Sequence, residues 1–414
     1  MRVAFLHPDL GIGGAEQLVV NLALCCKNLG WDVKIFTPFF DSNRAFSQLK
    51  DGTIDVEVRG DMFPRRILGR CQAMCDYIRI LLAAIYLVLF GGNFDIIVVD
   101  QIPIAIPLLK LRFTTFFYCH FPDKLLCVKR DSFIKRCYRF VIDYVEEFTM
   151  LLADIIVVNS KFTQNVFKEN FPIINKLRAP PKVLYPAIDL TVFDQYKLKE
   201  NDLLNVKGLE KLHNIQNKKL IVSLNRYEKK KNLPLAVTSF KHFLELKKND
   251  KDKDDYILVV AGGYDDRLEE NVEEYKLLTE LAGKDLLNSK VFFLKSISDN
   301  ERCILLKTSH VVLYTPKNEH FGIVPVESMY CGAFVIAHNS GGPMESIDNG
   351  KTGFRIDNED PTVWGAKIKD FFKEYNFKKV DPTILRSHVE KLFSLDSMKN
   401  DFRTYLSDKV KIRN

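Results

Sequence analysis

The sequence predicts an α/β protein built from two doubly wound parallel sheets, and three observations carry that prediction. Short apolar runs alternate with helix-period segments from end to end of the 414 residues. Many runs are apolar without alternation, as in Ile96-Ile97-Val98-Val99, Ile155-Ile156-Val157-Val158 and Tyr256-Ile257-Leu258-Val259-Val260. Strands covered by helices on both faces read this way. A polar stretch dense in Lys, Asn and Glu, 194–218, divides the runs into two series.

Taken in order, strands are expected at 2–7, 33–37, 54–58, 95–99, 114–119, 154–159 and 182–185, then at 219–224, 256–261, 291–295, 309–314 and 333–337. Helical patterns fall between them at 14–29, 133–152, 161–169, 232–247, 270–282, 299–307 and 362–375. Strand–helix–strand repetition builds parallel sheets through crossover helices. The expected organisation is an N-terminal Rossmann-like domain (1–195), a linker (196–218), a C-terminal Rossmann-like domain (219–380) and C-terminal helices (381–414) packing back on the first domain. The two domains are expected to face each other across a cleft, because ligands of such sheets sit outside the carboxyl ends of the strands.

Composition bounds the function. With 47% hydrophobic and 27% charged residues the chain is neither disordered nor fibrous. A net charge of +7 suits anionic ligands or a membrane surface and is weak support for nucleic-acid binding. Nine cysteines, an odd number, together with no Asn-x-Ser/Thr site, fit a reducing, cytosol-facing compartment. The N-terminus opens directly into an expected strand, without the pattern of a secretory leader. Ile80–Phe94 is a run of 15 uncharged residues, short of the roughly 20 that cross a bilayer. It reads as a buried helix, a helix lying in a membrane interface, or a span. The charge run 247–255 contains Asp252 and Asp254, but flanking lysines favour a solvated loop over a metal site.

Four segments carry chemistry. In His7-Pro8-Asp9-Leu10-Gly11-Ile12-Gly13-Gly14-Ala15-Glu16, glycines between a strand and a helix let backbone amides approach an anion. Gly11 and Gly13 fit a dinucleotide fingerprint, but Glu16 occupies its third glycine site, which argues against NAD. A tight turn is the competing reading. Arg226 and Lys231 lie five apart across a strand-to-helix turn, so a planar fork and a point charge can meet one phosphate group. Glu319 and Glu327, eight apart, bracket Gly322 and a helix expected to begin near Pro325. Carboxylates there can accept sugar hydroxyls, and amides around Phe321, Gly322 and Ile323 can meet a phosphate; simple helix capping is the alternative. A second glycine turn, Asn339-Ser340-Gly341-Gly342, holds part of a nucleotide or is only a tight turn. Between Lys124 and Arg139 six basic residues and one acid alternate with apolar ones, as in a solvated helix or a membrane-facing amphipathic surface.

Gly11–Glu16, Arg226 with Lys231, and the Glu319/Glu327 pair resemble the nucleotide-sugar-dependent retaining glycosyltransferases of the GT-B fold, over nearly the whole chain. The match narrows through His7-Pro8-Asp9-Leu10, Tyr118-Cys119-His120-Phe121-Pro122-Asp123, Lys129-Arg130-Asp131-Ser132-Phe133, Asn225-Arg226-Tyr227-Glu228 and Asn318–Pro325. These stretches resemble the eukaryotic α-1,3/α-1,6-mannosyltransferases of dolichol-linked oligosaccharide assembly. The resemblance implies GDP-mannose as donor, a dolichol-diphosphate-linked Man-GlcNAc2 acceptor, no metal cofactor, no nucleic acid, and the cytosolic face of the endoplasmic reticulum membrane. Other mannosyltransferases of the pathway are implied as partners. Arg226 and Lys231 would hold the diphosphate, Glu327 the ribose, and Glu319 the mannose ring near the Phe321, Gly322 and Ile323 amides. Gly13 and Gly14 would approach the diphosphate from the first domain, and His120 would face the reacting carbon. A GT-B enzyme using another nucleotide sugar or lipid, and more distantly an NAD-dependent oxidoreductase, are the alternatives. The C-terminus, Asp408–Asn414, lacks the hydrophobic segments of some fungal relatives.

Overall fold

A computed structural model of the chain describes residues 1–67, 71–126, 133–210, 212, 218–248, 255–374, 381–407 and 409. Residues 127–132 of the basic segment, Asp252 and Asp254, and the terminal 410–414 lie outside the described residues. The chain forms two compact units, Met1–Ala187 with Phe393–Asn414, and Ile188–Leu392.

In the first unit β1 (Arg2–Leu6), α1 (Gly14–Asn28), β2 (Asp32–Thr37), β3 (Asp55–Val58), α2 (Gln72–Phe90), β4 (Ile96–Asp100), β5 (Thr114–Cys119), α3 (Phe133–Leu151), β6 (Ile155–Val158), α4 (Lys161–Asn170) and β7 (Lys182–Val183) follow in order. The sheet runs β3-β2-β1-β4-β5-β6-β7, all parallel. Consecutive Val3, Ala4, Phe5 and Leu6 are all buried, because helices cover both faces.

The second unit contains β8 (Lys218–Leu224), α5 (Leu233–Lys247), β9 (Asp255–Gly262), α6 (Glu269–Ala282), β10 (Val291–Lys295), α7 (Asp299–Thr308), β11 (Val311–Tyr314), α8 (Ile323–Tyr330), β12 (Phe334–His338), β13 (Gly353–Ile356), α9 (Pro361–Glu374) and α10 (Pro382–Phe393). Its parallel sheet runs β10-β9-β8-β11-β12-β13. Strand order reverses between β8 and β11 here, and between β1 and β4 in the first unit. At such a reversal the crossovers diverge to opposite faces and leave a crevice at the carboxyl edge.

The expected boundaries shift. The segment expected as a linker belongs to the second unit: Leu203, Val206 and Leu209 are buried, and the Lys207 amide donates to Glu301 Oε1 at 2.8 Å. Its polar neighbours hid that apolar spacing. The C-terminal helices part company: α10 stays with the second unit up to Leu392, whereas α11 (Leu395–Ser407) belongs to the first. Phe402 of α11 packs edge-on against Phe116, ring centroids 4.9 Å apart, and Tyr405 donates to the Val183 carbonyl at 2.7 Å. The sequence pattern also missed β13, a four-residue edge strand whose Phe354 and Arg355 are only half-buried.

The apolar run is part of α2, the one helix among the described residues long and apolar enough to cross a membrane. Its inner face (Ile80, Ala83, Ala84, Leu87) is sealed into the sheet core with Ile97, Val99 and Phe117. A helix with one face inside a protein core is not enclosed by lipid, so within this fold α2 is a covering helix with an open outer face.

Candidate active site

In the second unit the chain leaves β8 at Leu224 and β11 at Tyr314, the strands that flank the reversal. After β8 it enters a 3₁₀ turn at Lys229–Lys231, closed by Asn232 in the left-handed region (φ 47°). Gly262 at the end of β9 makes room for this exit: a Cβ there would lie 2.0 Å from the Asn225 carbonyl oxygen. After β11, Thr315 donates from Oγ1 to the Lys231 carbonyl at 2.7 Å. The Lys231 turn is thereby tied to the neighbouring strand end.

The buried Lys231 ammonium forms an ion pair with Glu319. Burial alone would raise the Glu319 carboxyl, but the Lys231 charge and hydrogen bond, with His320 and Lys230 behind them, hold it below the usual carboxylate range. Its loop is braced by the second glycine turn. The Gly342 amide donates to the Glu319 carbonyl at 2.8 Å, and the Asn318 amide donates to Ser340 Oγ at 2.8 Å. A Cβ on Gly341 would come within 2.2 Å of the Glu319 carbonyl oxygen, and one on Gly342 within 1.9 Å of the Phe321 carbonyl oxygen. That turn is glycine because two backbones touch, and its part is to support the Glu319 loop.

Helix α8 begins at Ile323, two residues ahead of the expected start, with Gly322 as N-cap. The first amides of the helix have no intrahelical acceptor and carry the positive end of its dipole. Glu327 lies one turn on and is buried. Its Oε1 pairs with Arg302 of α7, while the buried Oε2 has no hydrogen-bond partner among the described residues. Burial pushes this carboxyl above its usual range against the pull of Arg302. A buried acceptor atom left open is uncommon unless something completes it. Arg226 is not drawn into this group: its side chain is 62% exposed, and Nη1 lies 2.9 Å from Glu228 Oε1.

In the first unit the strand ends assemble a different cluster. Asp100, at the end of β4, is buried between two imidazoles. His7 Nδ1 lies 2.7 Å from its Oδ2, and His120 Nε2 lies 2.7 Å from its Oδ1. On the far side of His7, Nε2 faces Glu16 Oε1 at 3.7 Å. Gly13 makes that approach possible, since a Cβ there would lie 2.3 Å from Glu16 Oε2. Gly14 meets nothing within 4 Å of an added Cβ, so no neighbour among the described residues demands glycine there. His120 keeps 21% of its side chain exposed, and its ring packs on Tyr118 with centroids 4.8 Å apart.

Of the expected site residues, Lys231, Glu319, Phe321, Gly322, Ile323 and Glu327 share the carboxyl edge of the second sheet, with Arg226 at its exposed rim. Gly13, Gly14 and His120 share that edge of the first, but only Gly13 connects to His120, through Glu16, His7 and Asp100. Asp100, His7, Arg302 and Thr315 were not singled out as site residues. A strand-final Asp in an apolar run was the available signal for Asp100; the others became visible only through contact. Among the described residues no three His, Cys, Asp or Glu side chains are grouped as a metal site.

Two family models match the chain, Glycosyltransferase Family 4 over residues 12–192 and Glycosyl transferases group 1 over residues 208–381. The α-1,3/1,6-mannosyltransferase ALG2 of Homo sapiens is 43% identical over 411 residues, covering 98% of this chain and 95% of that protein. The protein of that name from Dictyostelium discoideum is 44% identical over 398 residues, covering 92% and 90%. Among solved structures, sucrose-phosphate synthase from Thermosynechococcus elongatus superposes with a TM-score of 0.74 over 99% of this chain and 98% of that one, at 16% identity, a likeness of fold. Two parallel α/β units of this strand order, joined to that degree of identity over almost the full length, place the chain in the α-1,3/1,6-mannosyltransferase family: it is a glycosyltransferase of the GT-B fold.

Proposed function

We propose that the protein moves mannose, with retention, from GDP-mannose to a dolichol-diphosphate-linked Man-GlcNAc2 acceptor, first in α-1,3 and then in α-1,6 linkage. The observation that carries this reading is the group at the β8/β11 edge: a buried cation paired with a carboxylate, helix-start amides, and a buried carboxylate oxygen with no partner. Each matches one part of a nucleotide sugar. Lys231 takes the diphosphate, the Gly322 and Ile323 amides a phosphate oxygen. Glu327 Oε2 takes the ribose hydroxyls, while Arg302 holds its other oxygen in place. Lys231 and Glu319 satisfy each other; an arriving diphosphate shares the ammonium, and Glu319 turns its acceptor capacity to the mannose hydroxyls.

Charge flow explains why cations dominate. Breaking the bond between mannose and GDP leaves negative charge on the diphosphate while the sugar becomes cation-like, so preorganised positive groups lower the barrier. Lys231 and the helix amides supply that charge, Arg226 adds to it from the rim, and no divalent ion is required. His120 faces the sugar beside the reacting carbon, with Gly13 and Gly14 offering amides to the diphosphate. The transfer is front-face: the acceptor hydroxyl adds from the side the diphosphate leaves, and its proton passes to the departing phosphate oxygen.

The lipid-linked acceptor and a cytosolic endoplasmic reticulum surface are supported by an apolar stripe on the first unit. On α3, Phe133, Cys137, Phe140, Val141, Tyr144 and Phe148 are all exposed at helical spacing. On α2, Leu82, Ile85, Leu89 and Phe90 are exposed on the face turned from the core. Exposed aromatic rows of this length suit a bilayer interface.

The test is purified protein incubated with radiolabelled GDP-mannose and the lipid-linked trisaccharide, with and without EDTA. Two added mannose residues, insensitive to EDTA, are expected. Transfer from UDP- or ADP-sugars alone, or strict dependence on Mg²⁺, would overturn the reading.

A further inference from the structure

Glu16 stands where a dinucleotide fingerprint would have glycine, and the donor-binding scheme gives it no task. Its neighbours supply one. Glu16, His7, Asp100 and His120 form a continuous chain of acid, base, acid and base, with contacts of 3.7, 2.7 and 2.7 Å. Glu16 lies in the first turn of α1, Asp100 ends β4, and His7 and His120 directly follow β1 and β5, so the sheet register itself brings them together. Only the two ends reach solvent: the side chains of His7 and Asp100 are 0% and 1% exposed, those of Glu16 and His120 19% and 21%.

Both ring nitrogens of His7 face carboxylates. Nδ1 is at hydrogen-bond distance from Asp100, while Nε2 is 3.7 Å from Glu16, within ion-pair reach but without a hydrogen bond. A neutral imidazole would turn a lone pair toward one carboxylate, whereas the doubly protonated ring presents positive charge to both. Asp100 in turn faces an imidazole nitrogen with each oxygen. Nε2 of His120 is the nitrogen at Asp100, 2.7 Å away though not aligned as a hydrogen bond, so the charge of an ionised Asp100 favours the proton on Nε2 and leaves Nδ1 as the acceptor.

We propose that Glu16, His7 and Asp100 are positioning residues for His120: the two carboxylates hold His7 as a buried imidazolium, and that cation keeps Asp100 ionised, fixing the ring and tautomer of His120. The inference rests on the reading that His120 meets the transferred sugar. Other charged groups near His7 are Asp9, in the loop after β1, and Arg65, paired with Asp9 at 3.0 Å. Arg79 of α2, which donates to the Pro38 carbonyl, also feels Asp9. Asp9 adds negative potential on the side of Glu16, which Arg65 offsets. Burial alone would lower the His7 pKa, but its hydrogen bond to Asp100 and the negative charges of Asp100 and Glu16 outweigh that and raise it. Gly13 belongs to the same device, because a methyl group there would occupy the position of the Glu16 carboxylate.

The test uses the full chain labelled with ¹⁵N-histidine, in unmodified form and as Glu16→Gln, Gly13→Ala, Asp100→Asn, His7→Gln and His120→Ala. Long-range ¹H–¹⁵N spectra at pH 7.5 are expected to show one histidine with two protonated nitrogens, its signal absent from His7→Gln. They should show a second, absent from His120→Ala, as the Nε2–H tautomer. In Glu16→Gln and Asp100→Asn the tautomer preference of His120 is expected to weaken. Turnover with radiolabelled GDP-mannose should fall about a hundredfold in Asp100→Asn, as for a displaced group near the reacting atom, with KM for the donor within about threefold. A neutral His7 at pH 7.5, or an unchanged His120 tautomer in Asp100→Asn, overturns the inference. Full turnover in His120→Ala overturns instead the reading of His120, and leaves the spectra to decide the chain. If Asp100→Asn does not fold, Glu16→Gln, altered at a solvent-reaching end, gives the same two readouts.

Discussion

Lys231→Ala separates what the buried pair does for the fold from what it does for the reaction. The Lys231 and Glu319 side chains are 10% and 25% exposed. Removing the ammonium strands a carboxylate that is mostly out of water. Breaking a buried pair from one side costs about 3–5 kcal/mol, and the residual exposure of Glu319 places this case near 3. A unit of this size then loses about 6–12 °C in unfolding midpoint. Lys231→Met with Glu319→Gln removes both charges and should recover most of that loss. Turnover should behave differently. A preorganised group at the leaving diphosphate is worth about 10²–10³ in kcat, so the single variant loses that factor and the double variant does not regain it. GDP at a hundredfold excess over its Kd stabilises a binding-competent protein by about 2.7 kcal/mol, and Lys231→Ala should show only a fraction of that shift. The measurements are initial rates with radiolabelled GDP-mannose and thermal unfolding with and without GDP. A folded Lys231→Ala protein turning over within threefold of the unmodified rate would refute the reasoning.

Glu327→Gln should raise KM for GDP-mannose about tenfold or more, because a hydrogen bond to a charged acceptor is worth about 1.5–3 kcal/mol; an unchanged KM removes the ribose assignment. The pH dependence of stability follows from the first-unit cluster. The His7 pKa rises from 6.5 to about 9 despite burial, through Asp100 and Glu16, so its stabilisation is full below pH 6.5 and is lost as pH climbs through about 9. Asp100 is taken to about 2 against its own burial, by His120 and then His7, so its share is present above 3.8 and lost as pH falls through about 2. The unfolding midpoint should therefore drop between pH 6.5 and 9, and His7→Gln should flatten that limb; an equal slope in both proteins contradicts the assignment. Replacing Phe140 and Phe148 together with serine should weaken sedimentation with phosphatidylcholine–phosphatidylserine vesicles at least about tenfold, half of each ring's burial being worth about 0.75 kcal/mol or more. Equal sedimentation of the two proteins would clear the stripe of a membrane role.

The strands and most helices were legible because their signals are local: an apolar run either has the length of a covered strand or it does not, and helix period shows within a dozen residues. Resemblance through short motifs carried the family and the expectation for His120, while Lys231, Glu319 and Glu327 stood out earlier as charges at expected strand ends. Local pattern failed at β13, where two half-buried side chains break the apolar run, and at 203–209, where buried apolar residues sit among lysines and glutamates. Contacts across the chain were beyond it altogether. Lys231 meets Glu319 88 positions on, and His7 meets Asp100 93 positions on, because parallel sheets set strand ends side by side whose order in space is not their order in sequence. The amino-acid pattern settled which residues could hold charge at the strand ends. Packing settled which of them are buried together, and burial is what makes an imidazole, a carboxylate or an ammonium answer to its neighbour instead of to water.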